Sequence, residues 1–284
     1  MTEASRRKME SMEQFLGVKV HLYEKTDSTN LRAKEYVQAL IEKKNTDRVN
    51  EIFLADQQTE GRGRLGRSWQ SPPETGIWMS YLTNPNVPAD KISCVTLLAA
   101  MGIARAVKFY SLKRSIFNVD AKIKWPNDII INGKKICGIL SELVTDPDTG
   151  MNYVICGIGI NVNTRGFDTE ECRYASSLYR ESGITWDREE LTYGVIYNIK
   201  EFMRSFEIEK GLEFIVPDYN NMLVNKDQEV ILSSMNPEIQ AGLEPRYIAR
   251  GIDKTGALLV ENSVGEIIPI TSGEVSVRGL YGYT

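Results

Sequence analysis

Ala121-Lys122-Ile123-Lys124-Trp125-Pro126-Asn127-Asp128-Ile129-Ile130-Ile131-Asn132-Gly133-Lys134-Lys135-Ile136-Cys137-Gly138-Ile139-Leu140-Ser141-Glu142-Leu143-Val144 sets the class of this chain. Two β-rich runs flank Asn132-Gly133, and an Asn-Gly pair in that setting is the strongest short hairpin signal, because both residues tolerate positive φ. Asp146-Pro147-Asp148-Thr149-Gly150 marks a second turn, and Met151 to Val162 reads as the next strand. Strands joined by turns this short build an antiparallel or mixed sheet, since a parallel neighbour needs a long crossover. Helical patterns before and after the run make the class α+β, a mixed or antiparallel sheet with flanking helices. Pro126 interrupts the first run, where a missing ladder donor marks an edge, a bulge or a ligand-lining position.

Upstream, residues 1–15 are polar and read as a short helix or frayed tail. A strand is predicted near 18–24. Asp27-Ser28-Thr29-Asn30 follows, four capping residue types, ahead of a helix over 31–44 with Ala33, Tyr36, Val37, Leu40 and Ile41 on one face. Strands are expected over 51–56 and 76–83, and Asp90 is the expected cap of an apolar helix reaching Tyr110. Downstream, Asp187 precedes Leu191, Val195, Ile199, Phe202 and Phe206 at helical spacing. Beyond Asn225, short β runs at 229–232, 247–250, 257–260, 267–270 and 275–277 read as a small barrel of about 60 residues. The expected division is a tail over 1–15, a main domain over 16–223 and a small β domain over 224–284.

The chain has 284 residues, 42% of them hydrophobic and 25% charged, a globular composition. A net charge of −4 argues against a general nucleic-acid binder, which would carry a basic domain. Cys94, Cys137, Cys156 and Cys172 lack CxxC spacing and read as reduced thiols, supporting neither a metal site nor a disulfide framework. No run approaches the ~18 apolar residues of a membrane span, and the start lacks a signal core, so a cytoplasmic protein is expected. His21, the one histidine, sits in a strand-like run and reads as structural.

Gly61-Arg62-Gly63-Arg64-Leu65-Gly66-Arg67-Ser68-Trp69 carries the chemistry. Glycines permit close backbone approach and arginines offer planar forks to phosphate or carboxylate oxygens, so the loop suits closure over a small anion. Its match to the dinucleotide fingerprint is rejected: Ser71-Pro72-Pro73 follows where a helix must open, and Asn84-Pro85-Asn86 stands where the ribose acid belongs. In Lys124-Trp125-Pro126-Asn127-Asp128, the ammonium, indole, amide and carboxylate are groups that bind phosphates, stack on a ring and hold magnesium.

Taken together, Asp27-Ser28-Thr29-Asn30, Gln57-Gln58, the 61–69 loop, residues 124–128, Lys135 to Glu142 and Gly157-Ile158-Gly159-Ile160-Asn161-Val162-Asn163 resemble the biotin protein ligase family. The likeness extends to Gly251-Ile252-Asp253 and Ser272-Gly273-Glu274-Val275. It implies a catalytic domain like that of class II aminoacyl-tRNA synthetases and an SH3-like C-terminal barrel. It also implies a two-step reaction with biotin, ATP and Mg2+. The biotin carboxylate attacks the α-phosphate to give biotinyl-5′-AMP, and a lysine of a biotin carboxyl carrier domain then takes the biotin. Such chemistry needs charge neutralisation and alignment rather than an enzyme nucleophile.

The resemblance assigns Ser28, Thr29, Asn30 and Gln58 to biotin's ureido head. Gly61, Arg62, Gly63 and Arg64 close over carboxylate and phosphate, Arg67 faces the triphosphate, and Trp69 lines the adenine side. Lys124, Asn127 and Asp128 position phosphates and magnesium, with Asp128 as the metal ligand. Lys135 contacts the α-phosphate, Gly138 lies beside it, and Asn161 sits near the phosphates. Lys135, Arg64 and Arg67 are the catalytic set. For Asn161 and Asn163 a turn at a strand end is the alternative.

Two departures stand out. Only about 15 residues precede the first strand, too few for the three-helix DNA reader that some relatives carry, so DNA binding is not expected. Glu60 stands before Gly61, where a small residue is expected, and alters loop closure. A homodimer is a further expectation from the family. The competing readings are a lipoyl or octanoyl ligase of the same fold and a non-catalytic ligand sensor or DNA-binding regulator.

Overall fold

The computed structural model describes residues 7, 10, 13–167, 172–233, 246–271 and 274–277. The tail expected over 1–15 lies largely outside them, as does Ser272-Gly273 wholly. Strands β1 (Lys19–Thr26), β2 (Asn50–Gln58), β3 (Gly76–Thr83), β4 (Lys122–Lys124), β5 (Asp128–Ile131), β6 (Lys134–Thr145) and β7 (Asn152–Asn161) form one sheet in the order β1-β2-β3-β7-β6-β5-β4. Helices α1 (Thr29–Glu42), α2 (Val95–Lys113), α3 (Leu178–Ser182), α4 (Arg188–Glu209) and α5 (Val216–Met222) surround it. β1 and β2 run parallel with α1 as their crossover, and every other pairing is antiparallel, so the sheet is mixed and the class α+β.

Asn132 (φ 50) and Gly133 (φ 74) make the β5–β6 turn, as their residue types require. The run over 121–131 is not a strand interrupted by proline. β4 and β5 pair with each other, and Trp125-Pro126-Asn127 forms the turn between them, so Pro126 removes no ladder donor.

Strand alternation sorts the side chains onto two faces. Ile52, Leu54, Ile77, Tyr81, Cys156 and Ile160 pack with Leu98, Ile103, Val195 and Ile199 of α2 and α4. Phe53, Leu82, Tyr153 and Ile155 turn the other way, against Ala33 and Val37 of α1. Burial accounts for α2. Contrary to the sequence expectation, Ala89–Lys113 is long and apolar enough to cross a membrane by length and composition, with hydropathy 1.6. It is 72% buried within the protein, which is the environment of an all-round apolar core helix. Nor does Asp90 cap it: Ala89–Cys94 is a 3-10 turn, and α2 starts at Val95 with Cys94 at its N-cap and no side-chain cap bond.

Asp187 does cap α4, its Oδ1 accepting from the Glu189 and Glu190 amides at 2.9 Å each. The five runs after Asn225 become β8 (Glu229–Ser233), β9 (Arg246–Ile252), β10 (Leu258–Glu261), β11 (Ile267–Ile270) and β12 (Glu274–Val277). They form an antiparallel sheet in the order β11-β10-β9-β8-β12. Val230, Ala249, Ile252, Leu258 and Val260 belong to the same hydrophobic core as α2 and α4, so this sheet is docked on the rest rather than tethered.

Candidate active site

A cavity of about 910 Å3 brings the distant motifs together, a volume suited to a ligand of nucleotide or vitamin size. Ser28, Thr29, Asn30, Gln58, Arg62, Gly63, Arg64, Arg67, Trp69, Lys124, Asn127, Asp128, Lys135, Gly138 and Asn161 all line it. Gly61 is not in the lining. A Cβ there would lie 2.2 Å from the Trp69 carbonyl oxygen, so its role is to let the loop close on itself.

One end of the cavity is the start of α1. Ser28 occupies the N-cap but gives no side-chain bond to the helix, which leaves its hydroxyl at the cavity wall. The Thr29 amide donates to Gln58 Oε1 at 2.8 Å, and Gln58 Nε2 donates to Ser71 Oγ at 3.0 Å. Gln58 therefore joins α1 to the segment after the arginine loop, with both ends of its amide engaged. Asn30 Nδ2 donates to Glu142 Oε2 at 2.8 Å and to the Leu140 carbonyl at 3.3 Å.

The floor is bare strand backbone. Gly138 pairs with Gly159 and Leu140 with Gly157 across β6 and β7. A Cβ on Gly157 would come within 2.3 Å of Asn30 Oδ1, and one on Gly159 within 2.4 Å of Trp69 Nε1. The absent side chains let Asn30 and the Trp69 indole lie on the sheet.

The glycine-arginine segment forms a small hairpin. Trp69 N–H donates to the Gly61 carbonyl at 2.8 Å and Gly63 N–H to the Arg67 carbonyl at 2.7 Å. Leu65 (φ 55) and Gly66 (φ 74) turn its tip. Arg64 Nη1 donates to Asn127 Oδ1 at 3.0 Å, joining the two motifs. Asn127 Nδ2 donates in turn to the Ile139 carbonyl at 2.9 Å. Lys135 Nζ lies 2.7 Å from Asp128 Oδ1 and 5.4 Å from the centre of the Trp69 ring. The pair is an ion pair without the alignment of a hydrogen bond.

Not every polar group in the motifs serves the cavity. Trp125 is 3% exposed; its indole N–H donates to the Gly256 carbonyl at 3.1 Å and its amide to Asn225 Oδ1 at 2.9 Å. Trp125 is nonetheless among the residues lining the cavity, while its two N–H groups pin the β4–β5 turn to Asn225 and Gly256. Asn163 exchanges two bonds with the Trp186 backbone, at 2.9 Å each, and is structural. His21 stacks on Phe53 and lies 2.5 Å from Glu51 Oε2, away from the cavity lining, as expected of a structural histidine. All four cysteines are free; burial pushes the Cys156 thiol up to about 11 and raises Cys137 well above its ordinary value.

Sequence reasoning missed Gly157 and Gly159 as site residues, although both stand in a quoted motif. It also missed Phe167, Cys172, Arg173, Tyr174 and Ala175 on the cavity wall, whose segment carries no local pattern. Ser80, which holds Asn30, lies in ordinary strand sequence, and Glu142, which also holds it, ends the Lys135 to Glu142 stretch without an assigned role.

Comparison with known proteins places this geometry in a family. Residues 23–161 match the Biotin/lipoate A/B protein ligase family, and residues 247–278 match the Biotin protein ligase C terminal domain. The chain is 42% identical over 150 residues to the Bifunctional ligase/repressor BirA of Bacillus spizizenii, covering 52% of this chain and 43% of that one. It thus spans under half the length of that relative. It is 32% identical over 253 residues to the protein of the same name from Salmonella typhimurium, covering 89% of this chain and 72% of the relative. The solved structure of a biotin protein ligase from Aquifex aeolicus in complex with biotin and ATP is 30% identical. It superimposes with a TM-score of 0.74 over 92% of this chain and 98% of its own. With its motifs gathered around one cavity and likeness along most of its length, the chain belongs to the biotin protein ligase family.

Proposed function

We propose that this protein activates biotin with ATP to biotinyl-5′-AMP and transfers the biotin to a lysine of a biotin carboxyl carrier domain. The observation that carries the reading is the cavity itself. A polar, glycine-floored end at Thr29 and Asn30 continues into a cationic end where Arg64, Lys124 and Lys135 meet Asn127 and Asp128. The first end suits an uncharged head with N–H and C=O groups, and the second suits a carboxylate beside phosphates.

In the first step a biotin carboxylate oxygen bonds to the α-phosphorus and pyrophosphate leaves. Lys135 stands where its ammonium can neutralise charge growing on the α-phosphate oxygens, and Arg62, Arg64 and Arg67 close the hairpin over the carboxylate and phosphates. In the second, the acceptor amine attacks the acyl carbon, AMP leaves, and the amine proton passes to solvent. Trp69 and the glycine floor hold the adenylate in line. Gln58, engaged by Thr29 and Ser71, shapes the head pocket, and Asn161 lies toward the phosphates. Asp128 would hold Mg2+ as the nucleotide's own ion. Its Oδ1 is paired with Lys135 at 2.7 Å, and no cluster of three His, Cys, Asp or Glu exists among the described residues. This suits an ion held mostly by phosphate and water. When bound, the ion supplies further neutralisation of the phosphates.

The mixed sheet over 16–223 supports a catalytic domain of the class II aminoacyl-tRNA synthetase kind, and the five antiparallel strands over 224–284 support an SH3-like barrel. Free cysteines fit a reducing, cytoplasmic setting. Biotin-dependent ATP–pyrophosphate exchange tests the function. Exchange with biotin and none with lipoate is expected; exchange with lipoate alone would replace this reading by the lipoyl ligase.

A further inference from the structure

A chain of polar groups runs from Lys34 and Glu142, outside the cavity lining, to the head-pocket residues Asn30, Thr29 and Gln58. Lys34 Nζ lies 2.6 Å from Glu142 Oε1. Glu142 Oε2 accepts from Asn30 Nδ2 at 2.8 Å. Ser80 Oγ, fully buried, lies 2.5 Å from Asn30 Oδ1 and 2.8 Å from Thr29 Oγ1. Thr29 Oγ1 is also 3.1 Å from Gln58 Oε1.

Counting protons fixes the direction of the chain. Glu142, an acceptor on both oxygens, requires the NH2 side of Asn30, and the Leu140 carbonyl asks for the same side. Asn30 Oδ1 therefore faces Ser80 and must receive the Ser80 proton, since two bare oxygens at that distance would repel. The Ser80 oxygen then has no proton for Thr29. The Thr29 proton therefore goes inward to Ser80, 2.8 Å away, and its lone pairs are left for the cavity. Asn30 Oδ1 keeps a second lone pair as well.

We infer that Glu142, paired with Lys34, is a positioning residue that orients Asn30, Ser80 and Thr29 as hydrogen-bond acceptors and so selects a ligand head bearing N–H donors. The inference rests on the biotin reading: biotin's ureido ring carries two N–H groups, and lipoate's dithiolane carries none. Were the Asn30 amide reversed, its NH2 would face the ligand's N–H, and Ser80 would consume one lone pair of Thr29.

Glu142→Gln supplies that reversal with almost no change of shape. Lys34 takes the new amide's oxygen, its NH2 turns to Asn30, and Asn30 must turn over. Adding Lys34→Met frees the glutamine to present its oxygen to Asn30 again. Biotin binding by calorimetry and the KM values for biotin and ATP are the readouts. Glu142→Gln is expected to weaken biotin about 10- to 100-fold with the KM for ATP within about twofold. The double variant is expected to recover most of the loss, which mere structural damage would not allow. If wild type binds no biotin, the site reading falls and the proposal with it. If wild type binds and Glu142→Gln binds equally well, or if the double variant is no better than the single, the proposal alone falls. Should Glu142→Gln fail to fold by circular dichroism, the double variant decides. Affinity close to wild type upholds the proposal, and a loss as large as about 10-fold overturns it.

Discussion

On the face beneath α2 and α4, β2, β3 and β7 present Ile52, Leu54, Ile77, Tyr81, Cys156 and Ile160; on the other face β3 and β7 present Ser80, Gly157, Gly159 and Asn161. One face is filled by side chains that exclude water; the other is packed only where Phe53, Leu82, Tyr153 and Ile155 meet α1, and is bare at Gly157 and Gly159, where a ligand can lie on the backbone. Both use glycine for close approach, to different ends. A Cβ on Gly102 of α2 would meet Ile199 Cγ1 at 2.7 Å and the Ile199 amide nitrogen at 2.9 Å, a helix–helix contact. On Gly157 it would meet the polar side chain of Asn30. Substitutions on the open face should therefore change kinetics with little change in melting, and those on the filled face the reverse.

The largest effect expected on the open face is that of Lys135→Ala. Removing a positioned ammonium from a phosphate that gains charge in the transition state is commonly worth a few kcal/mol, about 100-fold or more in rate. The loss should fall on adenylation. Transfer from preformed biotinyl-AMP asks less of this lysine, because the phosphate is by then part of the leaving group. Single-turnover rates of the two half-reactions measure it; normal adenylation with blocked transfer would contradict the assignment.

Gly157→Ala comes next. The new methyl would press on Asn30 Oδ1 at 2.3 Å and Cγ at 2.9 Å, and Asn30 cannot swing away without losing Glu142 and Leu140. Misplacing a binding group by about an ångström costs up to about 100-fold, so the biotin KM should rise at least tenfold while the KM for ATP moves little. An unchanged biotin KM would mean that Asn30 does not form the pocket wall.

Local chemistry was readable from the residues, and long-range chemistry was not. Asn132-Gly133 and Asp187 act within a few residues of themselves, and the structure shows both as expected. Asp90 failed as a cap because Pro88 heads a 3-10 turn and the helix proper waits until Val95. The parallel β1–β2 pairing depends on α1 packing as a crossover, a tertiary event without a local signature. Trp125 lines the cavity, as its polar neighbours suggest, but its second role as an anchor was not readable, because its partner, the Gly256 carbonyl, is 131 residues away. The pocket glycines were visible as letters, but the reason for them, Asn30 and Trp69 lying on the floor, exists only once the chain has folded.

On the filled face Gly102→Ala should cost stability. Alanine gains roughly 1 kcal/mol of helix propensity over glycine. The atoms it meets include the Ile199 amide nitrogen and Cα, which cannot rotate aside, so overpacking of about 1–3 kcal/mol wins. Urea denaturation should show the loss, with both KM values unchanged. A stabilised variant would mean that α2 and α4 have slack at this crossing.

Asp187→Ala is the smallest effect and tests whether the two faces are independent. The carboxylate caps α4 through the Glu189 and Glu190 amides, and its removal should cost about 1 kcal/mol. The first turn it secures carries Arg188, whose Nη1 donates to Asp56 Oδ1 at 3.0 Å and to the Gly76 carbonyl at 3.1 Å, where β3 begins. Gly76 in turn pairs with Asn161 on the cavity wall. Fraying at Asp187 thus has a physical route to the open face, through one arginine. Two further bonds oppose it, because Glu190 is also held by Lys113 at 2.6 Å and Arg114 at 2.8 Å. We expect these to keep the turn in place, so that the melting temperature falls by a few degrees and ATP–pyrophosphate exchange does not change. A drop in exchange at temperatures well below melting would show instead that α4 helps to set the position of Asn161.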